Sequence, residues 1–486
     1  MSSNTAVPAT VSLTEASAVS DDVDVLVVGF GIAGGCAAVE AAAAGARVLV
    51  LERAGDAGGT TALAGGHFYL GGGTAVQRAT GHEDSPEAMY EYLMAVSPDP
   101  ESEKIRAYCE ASVSHFDWLE SLGVEFERSF YPAKAVIQPG TEGLMYTGNE
   151  QVWPFVERAT PAPRGHKVPV AGDTGGAALV IERLRQRLHE LGVEVRYDTA
   201  VTGLATADGA VRGVTWRHFS ETGVLRARAV VLAAGGFVMN EEMVAEHVPQ
   251  LSEKPFVLGN THDDGLGIRL GQSVGAATRN MDRAFVTAPV YPPAQLLTGI
   301  IVNNSGRRFV AEDSYHARTS GFVLEQPGAE AYLIVDSEHI EHPQFPLAPF
   351  IDGWETVPEM AQALGIDAET LEHTLRRYNR DAARGEDPDF HKSAEWLAAQ
   401  DTGPWGAFDL SLGTAVYAGF TLGGLATSVH GEVLDVDGAS IPGLYAAGAG
   451  AANIAQDGKG YASGTQLGEG SFFGRQAGAH AARRSG

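Results

Sequence analysis

Three glycines near the start of the chain have the spacing that brings a backbone loop against a pyrophosphate group. An apolar segment leads into Gly29, Gly31 and Gly34, which form a Gly-x-Gly-x-x-Gly pattern. The first glycine permits a tight turn, the second lets a pyrophosphate approach the backbone, and the third lets a helix pack closely on a strand. The N–H groups and the dipole at the start of that helix favour a bound phosphate.

An acidic residue follows the next apolar segment of the chain. Val48–Leu51 has the composition of a buried strand, and it runs directly into Glu52 and Arg53. A carboxylate in this place can accept hydrogen bonds from the hydroxyls of a ribose. The complete order of strand, turn, helix, strand and acid is far more specific than the glycines alone. We interpret it as a dinucleotide-binding unit, and it does not distinguish one dinucleotide from another.

Composition limits the class of protein and its partners. The 486 residues carry a formal net charge of −27, which disfavours nucleic acids and anionic membranes as partners. No uninterrupted apolar run reaches the roughly 18 residues that a membrane-spanning helix requires. The two cysteines, Cys36 and Cys109, exclude a disulfide framework and a cysteine-rich metal site. We therefore expect a cytoplasmic enzyme without a metal centre.

The distribution of glycines and apolar segments predicts three structural parts after a frayed tail at 1–20. Residues 21–285 form the first part of a dinucleotide-binding domain, 286–410 an inserted domain, and 411–486 the return to the first domain. Helical periodicity and turn residues predict individual elements. The expected helices are 86–96, 102–122, 179–191, 356–364, 367–384 and about 465–482. Three strands at 193–197, 209–217 and 225–232 are expected to form a small antiparallel insert before the chain returns to a parallel sheet.

Several motifs recur in order along most of the chain and together resemble one superfamily. They are the opening unit with Glu52, the Gly59-Thr60-Thr61 loop, Ala233–Gly236, Asp264-Gly265, Gly306–Glu312 and Gly443–Gly448. The chain is similar in these motifs to the flavin-dependent fumarate reductase and 3-ketosteroid dehydrogenase superfamily. The resemblance implies an α/β fold with a Rossmann-like FAD-binding domain of the glutathione-reductase type. An inserted α+β cap domain, which carries catalytic residues, would cover the isoalloxazine ring.

FAD is the cofactor that the resemblance implies. The contacts carried over by position are Gly29, Gly31, Ala33, Gly34, Glu52, Arg53, Gly59, Thr60, Thr61, Ala64, Gly65, Gly66, Val201, Ala234, Gly235, Gly236, Asp264, Gly448, Gly464, Thr465 and Leu467. One position departs from the pattern, because Ala449 stands where the family often has Glu. The contact to the ribityl chain must then come from another group or from water.

Cations that would hold a dicarboxylate are missing from their expected positions. The dicarboxylate enzymes of the superfamily have His two residues before the Thr of Thr-x-Gly-Gly and Arg before the Leu-Gly of the last loop. Here these places hold Gly419 and Gln466. An unpaired carboxylate in a dry pocket is costly, and neither residue can compensate it. We therefore expect a neutral and largely apolar substrate.

Hydroxyl groups take the place of the missing cations. Tyr315 comes from the inserted domain, and Tyr461 and Ser463 come from the last flavin-binding loop. This set resembles the 3-ketosteroid dehydrogenases, and within them the Δ4-(5α) type. The resemblance implies that Tyr315, Tyr461 and Ser463 are catalytic. It implies a reaction that introduces a C4–C5 double bond into a 3-keto-5α-steroid, with removal of the α-proton and transfer of a hydride to flavin N5.

Desaturation next to a ketone requires a polarised carbonyl oxygen and a route for the α-proton. Tyr461 could donate to the oxygen together with a backbone N–H near Gly464, and Tyr315 and Ser463 could relay the proton. A tyrosine that acts as a phenolate near neutral pH needs a pKa about 2–3 units below its usual ~10. The alternatives without a catalytic role are that Tyr315 is a core residue and that Ser463 only caps a helix.

Other residues near these motifs are given more limited roles. A steroid-sized slot could be lined by Phe68, Phe285, Tyr291, Phe420 and Gly464, although such aromatics are more often core residues. His316 is expected to be structural or to face outward. Arg307 and Arg308 are expected to pair with Glu312 or Asp313 rather than to touch substrate.

Two alternatives to a Δ4-(5α)-dehydrogenase stay open. One is a Δ1-type ketosteroid dehydrogenase or a related flavin-dependent ketone desaturase or ene-reductase, because sequence does not show how the ketone docks. The other is a flavin-binding protein without catalysis. The expected electron acceptor is quinone-like or a protein, and it is not identified.

Overall fold

The computed structural model describes residues 6–13, 21–136, 138–172, 174–252, 256–452 and 454–484. Short strands make up most of its regular β-structure. In chain order the strands are β1 (Val11–Ser12), β2 (Asp21–Val28), β3 (Val48–Leu51), β4 (His67–Tyr69), β5 (Leu144–Met145), β6 (Gly165–Lys167), β7 (Glu194–Arg196), β8 (Thr199–Ala207), β9 (Ala210–His218), β10 (Glu221–Leu232), β11 (Phe256–Val257), β12 (Thr278–Arg279), β13 (Ala284–Thr287), β14 (Ile300–Asn303), β15 (Ala331–Asp336), β16 (Phe350–Trp354), β17 (Trp405–Asp409), β18 (Ala418–Thr421), β19 (Gly424–Leu425), β20 (Glu432–Leu434) and β21 (Ser440–Ala446).

Six of the helices lie close to the ranges that periodicity predicts, whereas α2 covers the Gly59-Thr60-Thr61 motif, for which the prediction of a loop is wrong. They are α1 (Ile32–Ala43), α2 (Gly59–Leu63), α3 (Ala75–Ala79), α4 (Pro86–Val96), α5 (Ser102–Ser121), α6 (Ala178–Glu190), α7 (Glu241–His247), α8 (Leu266–Gln272), α9 (His316–Leu324), α10 (Val357–Leu364), α11 (Ala368–Ala382) and α12 (Thr465–Arg484). The six predicted helices correspond to α4, α5, α6, α10, α11 and α12, and their ends differ by one or two residues.

The largest sheet brings the beginning and the end of the chain together. In its parallel part β2 pairs with β3 and β10, and β10 pairs with β21 from the C-terminal region. The strands β2, β3 and β10 are almost fully buried at their carboxyl ends, as expected for a sheet covered on both faces. Loops after these carboxyl ends are where an α/β sheet places its ligand.

The predicted antiparallel insert exists, but its members differ from the prediction. β8, β9 and β10 form the antiparallel ribbon, while β7 lies parallel to β3 at the edge of the large sheet. The prediction that 193–197 belongs to the ribbon is therefore wrong, and β8, which takes this place, was not predicted. The reason is local: β7 is short and half-exposed, so its composition does not reveal whether its partner is parallel or antiparallel.

Part of the segment that was predicted to be a frayed tail forms a short strand. Val11–Ser12 pairs in parallel with Ala205–Thr206 and covers the outer edge of β8. An edge strand presents unpaired backbone groups, which such an added segment satisfies. Residues 1–5 and 14–20 of the predicted tail lie outside the described residues.

A second sheet lies within the segment predicted to be inserted. β14, β15, β17 and β16 are neighbours in an antiparallel sheet, and α10 and α11 pack on it through a separate apolar cluster. Arg308 binds Glu312 at 2.7 Å and Asp387 at 2.9 Å, with all three side chains nearly buried. This network anchors the chain just before Tyr315, and the pairing of Arg308 with Glu312 matches the sequence expectation.

Helix α12 packs against α1 without intervening side chains. A methyl group at Gly474 would lie 2.3 Å from the carbonyl oxygen of Ala33, and one at Gly478 would lie 2.1 Å from that of Ala37. The two backbones therefore touch, and only glycine fits. This contact fixes the middle of α12 against α1, the helix that follows the opening glycine turn.

Candidate active site

The opening glycine turn has the tight geometry that its spacing predicts. Gly29 has a φ of +98°, and a methyl group there would lie 2.4 Å from the carbonyl oxygen of Ala233. A methyl group at Gly34 would lie 2.0 Å from the carbonyl oxygen of Gly29. Gly29 thus needs both its backbone conformation and its lack of a side chain, whereas Gly34 needs only the space.

The N-terminus of α1 is open toward this turn. Gly31 is the N-cap residue and has no side chain with which to cap the helix, and no acidic residue lies in the first turn. Thr61 accepts a hydrogen bond from the N–H of Ile32 at 3.0 Å, which brings α2 against the same helix end. Backbone N–H groups and a positive dipole end without a competing carboxylate fit a pyrophosphate.

Glu52 is buried at the carboxyl end of β3 and is held in one orientation. Its Oε2 accepts a hydrogen bond from the N–H of Phe30 at 2.7 Å, and its Oε1 accepts one from the N–H of Ala54 at 2.8 Å. A carboxylate has about four acceptor positions, so each oxygen retains capacity for a ribose hydroxyl.

Two further loops converge next to this carboxylate. Arg53 binds Asp264 at 2.8 Å, and the Thr60 hydroxyl donates to the buried Asp263. Burial raises the pKa of Asp263. A methyl group at Gly235 would lie 2.1 Å from the carboxylate of Asp263, so the Ala233–Gly236 loop passes directly over it. Residues 53–60, 233–236 and 263–264 thus form one continuous surface beside Glu52.

The other predicted cofactor residues lie in several neighbouring segments. Gly448 touches Ala33, because a methyl group there would lie 2.9 Å from the Ala33 Cβ, and Ala234 is packed against Gly29. Val201 is buried within β8, and Gly464 immediately precedes α12. Gly31, Glu52 and the α1 terminus fit the pyrophosphate and a ribose of FAD. The contact of each individual residue with FAD stays a prediction. This applies to the residues named in this section and also to Gly59, Ala64, Gly65, Gly66, Gly236, Thr465 and Leu467.

A pair of hydroxyl groups forms the chemical centre of the candidate site. The Tyr315 Oη and the Ser463 Oγ are 2.7 Å apart, a hydrogen bond in which either group can donate. Tyr315 is the N-cap residue of α9, whereas Ser463 lies two residues before α12. The tertiary structure therefore brings together two residues, 148 positions apart, that the resemblance had paired in a proton relay.

Tyr461 lies beside this pair with its hydroxyl at the start of α12. The N–H of Gln466 points to the Tyr461 Oη, with 3.3 Å between nitrogen and oxygen. The Tyr461 oxygen is the acceptor of this hydrogen bond, which polarises its O–H as a donor to a substrate oxygen. The predicted hydrogen bond from a backbone N–H near Gly464 to the substrate oxygen stays a prediction.

Aromatic rings form an apolar wall next to Tyr461. Phe285 and Phe420 stack with ring centroids 4.7 Å apart, and Phe285 meets the Tyr461 ring edge-on at 4.8 Å. All three belong to one small cluster with Tyr315 and Leu422. Such a wall can contact a flat hydrocarbon surface.

The other predicted lining residues are Tyr291, Phe68 and Gly464, and their contacts lie outside the Phe285–Phe420 stack. The Tyr291 hydroxyl accepts a hydrogen bond from the N–H of His316 at 3.2 Å, so it supports the backbone behind Tyr315. The Phe68 ring packs edge-on against Phe126 in the main core cluster, while its backbone contacts Gly464. Their contact with substrate stays a prediction.

His316 does not face outward as the sequence analysis allowed. It is buried, its ring centroid is 4.0 Å from that of Tyr315, and its Nδ1 is 2.6 Å from the Thr287 hydroxyl. Burial lowers the pKa of His316 to about 3, and the charge of Lys134 adds to this effect. The imidazole is therefore neutral at physiological pH.

Sequence reasoning missed a residue that contacts both catalytic segments. Asn149 Oδ1 accepts a hydrogen bond from the N–H of Tyr315 at 2.9 Å, and its Nδ2 donates to the carbonyl oxygen of Lys459 at 3.2 Å. It lies in a segment rich in Pro and Gly, where a single Asn has no distinguishing pattern. No signal in the sequence marks it.

The fold and the site together define an FAD-dependent oxidoreductase. The chain matches the FAD binding domain family over residues 24–468 and belongs to that family. Its cofactor is FAD. Within the described ranges, no helix combines the length and apolar character needed to cross a bilayer. Nor do three His, Cys, Asp or Glu side chains gather there as metal ligands.

Individual relatives include reductases and steroid dehydrogenases. The chain is 31% identical to a urocanate reductase of Eggerthella lenta, over 95% of this chain and 75% of that protein. It is 30% identical to a 3-oxo-5-alpha-steroid 4-dehydrogenase of Comamonas testosteroni, over 88% and 93% respectively.

A solved structure is similar over almost the full chain. It is that of a 3-ketosteroid Δ4-(5α)-dehydrogenase from Rhodococcus jostii RHA1 in complex with 4-androstene-3,17-dione. The sequence identity is 41%, the TM-score is 0.92, and the match covers 98% of this chain and 99% of that one. The recognition of the superfamily and of its ketosteroid dehydrogenase branch from sequence motifs is confirmed.

Proposed function

We propose that this protein is a 3-ketosteroid Δ4-(5α)-dehydrogenase, which introduces the C4–C5 double bond into 3-keto-5α-steroids. One observation carries the proposal: the Tyr315–Ser463 hydroxyl pair lies beside Tyr461, whose own hydroxyl meets the Gln466 N–H. A proton relay and two carbonyl donors are the groups that desaturation next to a ketone requires. FAD, when bound, supplies the acceptor for the hydride that leaves C5.

The carbonyl oxygen of the substrate would accept hydrogen bonds from the Tyr461 Oη and from a backbone N–H near Gly464, while the Tyr461 oxygen itself accepts the Gln466 N–H. As the proton leaves C4, negative charge develops on this oxygen, and fixed donors stabilise it more than they stabilise the ketone. Removing one such donor typically costs about 2.7–4 kcal/mol of transition-state stabilisation. Because the Gln466 N–H lies in the first turn of α12, the helix dipole acts in the same direction.

The C4 proton would pass to the hydroxyl pair. A serine hydroxyl alone is a weak base, but the Tyr315 phenol, 2.7 Å away, can share the charge that develops on it. Both groups are held on separate elements, so the pair is available only when α9 and the loop before α12 are in contact.

The surroundings of the pair favour a neutral substrate. The stacked Phe285 and Phe420 present apolar faces, and His316 carries no charge at neutral pH. Gly419 and Gln466 occupy the places where the dicarboxylate enzymes carry cations. The similarity to the Rhodococcus jostii structure supports the same substrate class, whereas the similarity to a urocanate reductase makes urocanate a necessary comparison.

The remaining assignments accompany this function. We propose that 286–410 is the cap domain, that the protein acts in the cytoplasm, and that a quinone-like compound or a protein receives the electrons. The unidentified acceptor does not enter the reductive half of the reaction, which can be studied without it.

Anaerobic reduction of the purified yellow protein tests the proposal. A saturated 5α-3-ketosteroid should bleach the flavin absorbance and yield the 4-ene-3-ketosteroid, recognised by its mass and its ultraviolet absorption. The protein reduced chemically should not be reoxidised at a comparable rate by fumarate or urocanate.

Other outcomes point to the alternatives. Bleaching by 4-androstene-3,17-dione with formation of a 1,4-diene would indicate the Δ1 reaction. Fast reoxidation by urocanate would indicate a reductase. Bound FAD that no ketosteroid reduces would indicate a protein without this catalysis.

A further inference from the structure

The two catalytic hydroxyl groups belong to segments that a third segment holds together. Tyr315 lies at the start of α9, and Ser463 lies in the loop before α12. The segment 147–150 contacts both, because the carbonyl oxygen of Thr147 accepts the Ser463 N–H at 2.8 Å and Asn149 accepts the Tyr315 N–H at 2.9 Å. Each contact is to the backbone of a catalytic residue and not to its hydroxyl.

The Asn149 amide makes one bond in each direction. Its oxygen accepts from Tyr315, and its Nδ2 donates to the carbonyl oxygen of Lys459, two residues before Tyr461. The backbone N–H of Asn149 donates to the Tyr92 hydroxyl at 2.8 Å, which ties the segment to α4. Asn149 is fully buried, so water does not compete for these bonds.

The backbone around Asn149 has little freedom to move. A methyl group at the preceding Gly148 would lie 2.7 Å from the Tyr92 hydroxyl and 2.8 Å from the Ala462 Cβ. Glu150, the following residue, is also buried, and its carboxylate accepts hydrogen bonds from the Tyr69 hydroxyl and the Gly148 N–H, each at 3.0 Å. The amide is therefore presented from a rigid support.

We propose that Asn149 is a positioning residue that sets the separation of the Tyr315 and Ser463 hydroxyl groups during proton removal. The inference rests on the proposed function and adds to it a residue that bonds to the backbone of Tyr315 and Lys459 and to the Tyr92 hydroxyl. A planar amide with its acceptor on one segment and its donor on the other fixes their relative position. A displacement of about 1 Å in a reacting group can cost about 10²-fold in rate.

The first test replaces Asn149 by Ala and compares kcat, KM and the isotope effect of substrate deuterated at C4. We expect kcat to fall about 10- to 100-fold with little change in KM, since the carbonyl donors and the aromatic wall remain. The deuterium isotope effect on kcat should increase, because proton removal becomes slower relative to the other steps. Rates are normalised to bound FAD, so a smaller folded fraction does not imitate the result.

Asn379 provides a matched control. Its amide also bonds in two directions, accepting the Gln400 N–H at 2.8 Å and donating to the Gln400 carbonyl oxygen at 3.0 Å, but within the α11 region. Asn379→Ala removes the same kinds of bonds away from the hydroxyl pair. It should lower thermal stability without changing kcat or the isotope effect.

Asn149→Asp is the second variant, in case the alanine variant does not fold. It keeps the side-chain volume and the acceptor for Tyr315, and as a carboxylate it loses the donor toward Lys459. We expect a decrease in kcat of about tenfold and a crystal structure in which the hydroxyl separation exceeds the present 2.7 Å.

The results separate this proposal from the proposed function. If the unmodified protein desaturates no ketosteroid, the proposed function fails before Asn149 is tested. If it is active, an unchanged hydroxyl separation in the variant structure overturns the positioning role. A kcat or isotope effect equal to that of Asn379→Ala overturns it as well.

Discussion

Tyrosine hydroxyls at this site differ in their partners more than in their burial. Tyr315 and Tyr461 are both about 95% buried in one cluster, with exposures of 4% and 5%. Tyr315 shares a hydrogen bond with a serine hydroxyl, whereas the Tyr461 oxygen receives a backbone N–H. The different partners support the proposed roles of Tyr315 in a proton relay and of Tyr461 in polarising a carbonyl.

Tyr461→Phe tests this difference at the level of one oxygen atom. The ring and its contacts with Phe285 and Phe420 remain, while one donor to the substrate carbonyl is lost. We expect FAD binding to be retained and kcat to fall about 10²–10³-fold with a saturated 5α-3-ketosteroid. Flavin absorbance and single-turnover reduction measure the two properties separately.

Tyr417→Phe is the control for Tyr461→Phe. Tyr417 is equally buried and donates to the Leu410 carbonyl oxygen at 2.6 Å, outside the cluster of Tyr461. It should lose stability but keep the rate of flavin reduction. A Tyr461→Phe protein with a normal rate would contradict the carbonyl-donor role.

At the scale of elements, the site depends on a strand end, a helix start and the glycines that let them touch. Gly29 follows β2 and has a positive φ. It packs against the backbone of Ala233, which follows β10. Helix α1 begins at Ile32 and is held against α12 by backbone contacts at Gly474 and Gly478. The packing of α12 on α1 therefore connects the predicted phosphate site to α12. The first turn of α12 supplies the Gln466 N–H that donates to Tyr461.

Gly29→Ala should disrupt this contact and weaken FAD binding. The substitution adds a residue at φ +98° and places a methyl group 2.4 Å from the Ala233 carbonyl oxygen. Overpacking of this kind typically costs about 1–3 kcal/mol beyond the cost of the backbone conformation. Thermal unfolding and FAD titration of the apoprotein measure the loss.

Gly45→Ala is the control that separates backbone strain at a positive φ from steric overlap with a neighbouring atom. Gly45 has a similar φ of +89°, but a methyl group there would meet no atom within 4 Å. It should cost about 1–2 kcal/mol from backbone strain alone and leave FAD affinity unchanged. Equal effects of the two substitutions on FAD affinity would show that the Ala233 contact has no role.

At the scale of the whole molecule, buried neutral histidines make stability depend on pH. His166 is fully buried, with its Nδ1 3.1 Å from the Arg164 carbonyl oxygen and its Nε2 2.8 Å from the Thr74 hydroxyl. A neutral ring satisfies both, since Nδ1–H donates and Nε2 accepts. Burial lowers the pKa of His166 from 6.5 to about 4.

The sign of the effect follows from where the proton binds. Between pH 6.5 and about 4 the unfolded chain is protonated at His166 and the folded protein is not, so stability is lost as the pH falls through this range. The full shift corresponds to about 3 kcal/mol. We expect the unfolding midpoint in urea to fall on acidification to pH 4.5, and to fall less in His166→Gln.

His373→Gln serves as the comparison, because His373 is exposed on α11. It should follow the pH dependence of the unmodified protein. Identical pH dependence of His166→Gln and the unmodified protein would contradict the assignment of this proton to His166.

Features that depend on neighbours along the chain were predictable from the amino-acid order alone. The glycine spacing, the acid after β3 and six long helices are local patterns, and periodicity or turn chemistry reports them directly. The choice of Tyr315, Tyr461 and Ser463 also came from the sequence, through resemblance to related motifs. The helix ends differed only slightly, since caps and turn residues are local as well.

Contacts between distant parts of the chain could not be predicted in this way, because they form through packing in the folded protein. The partner of β7, the strand β8, the edge strand β1, the burial of His316 and the Gln466 N–H opposite Tyr461 each depend on packing between separate segments. Asn149 and Tyr315 are 166 residues apart, and their hydrogen bond exists because three segments converge. Local propensity carries no information on such contacts, because their free energy arises only when the chain is folded.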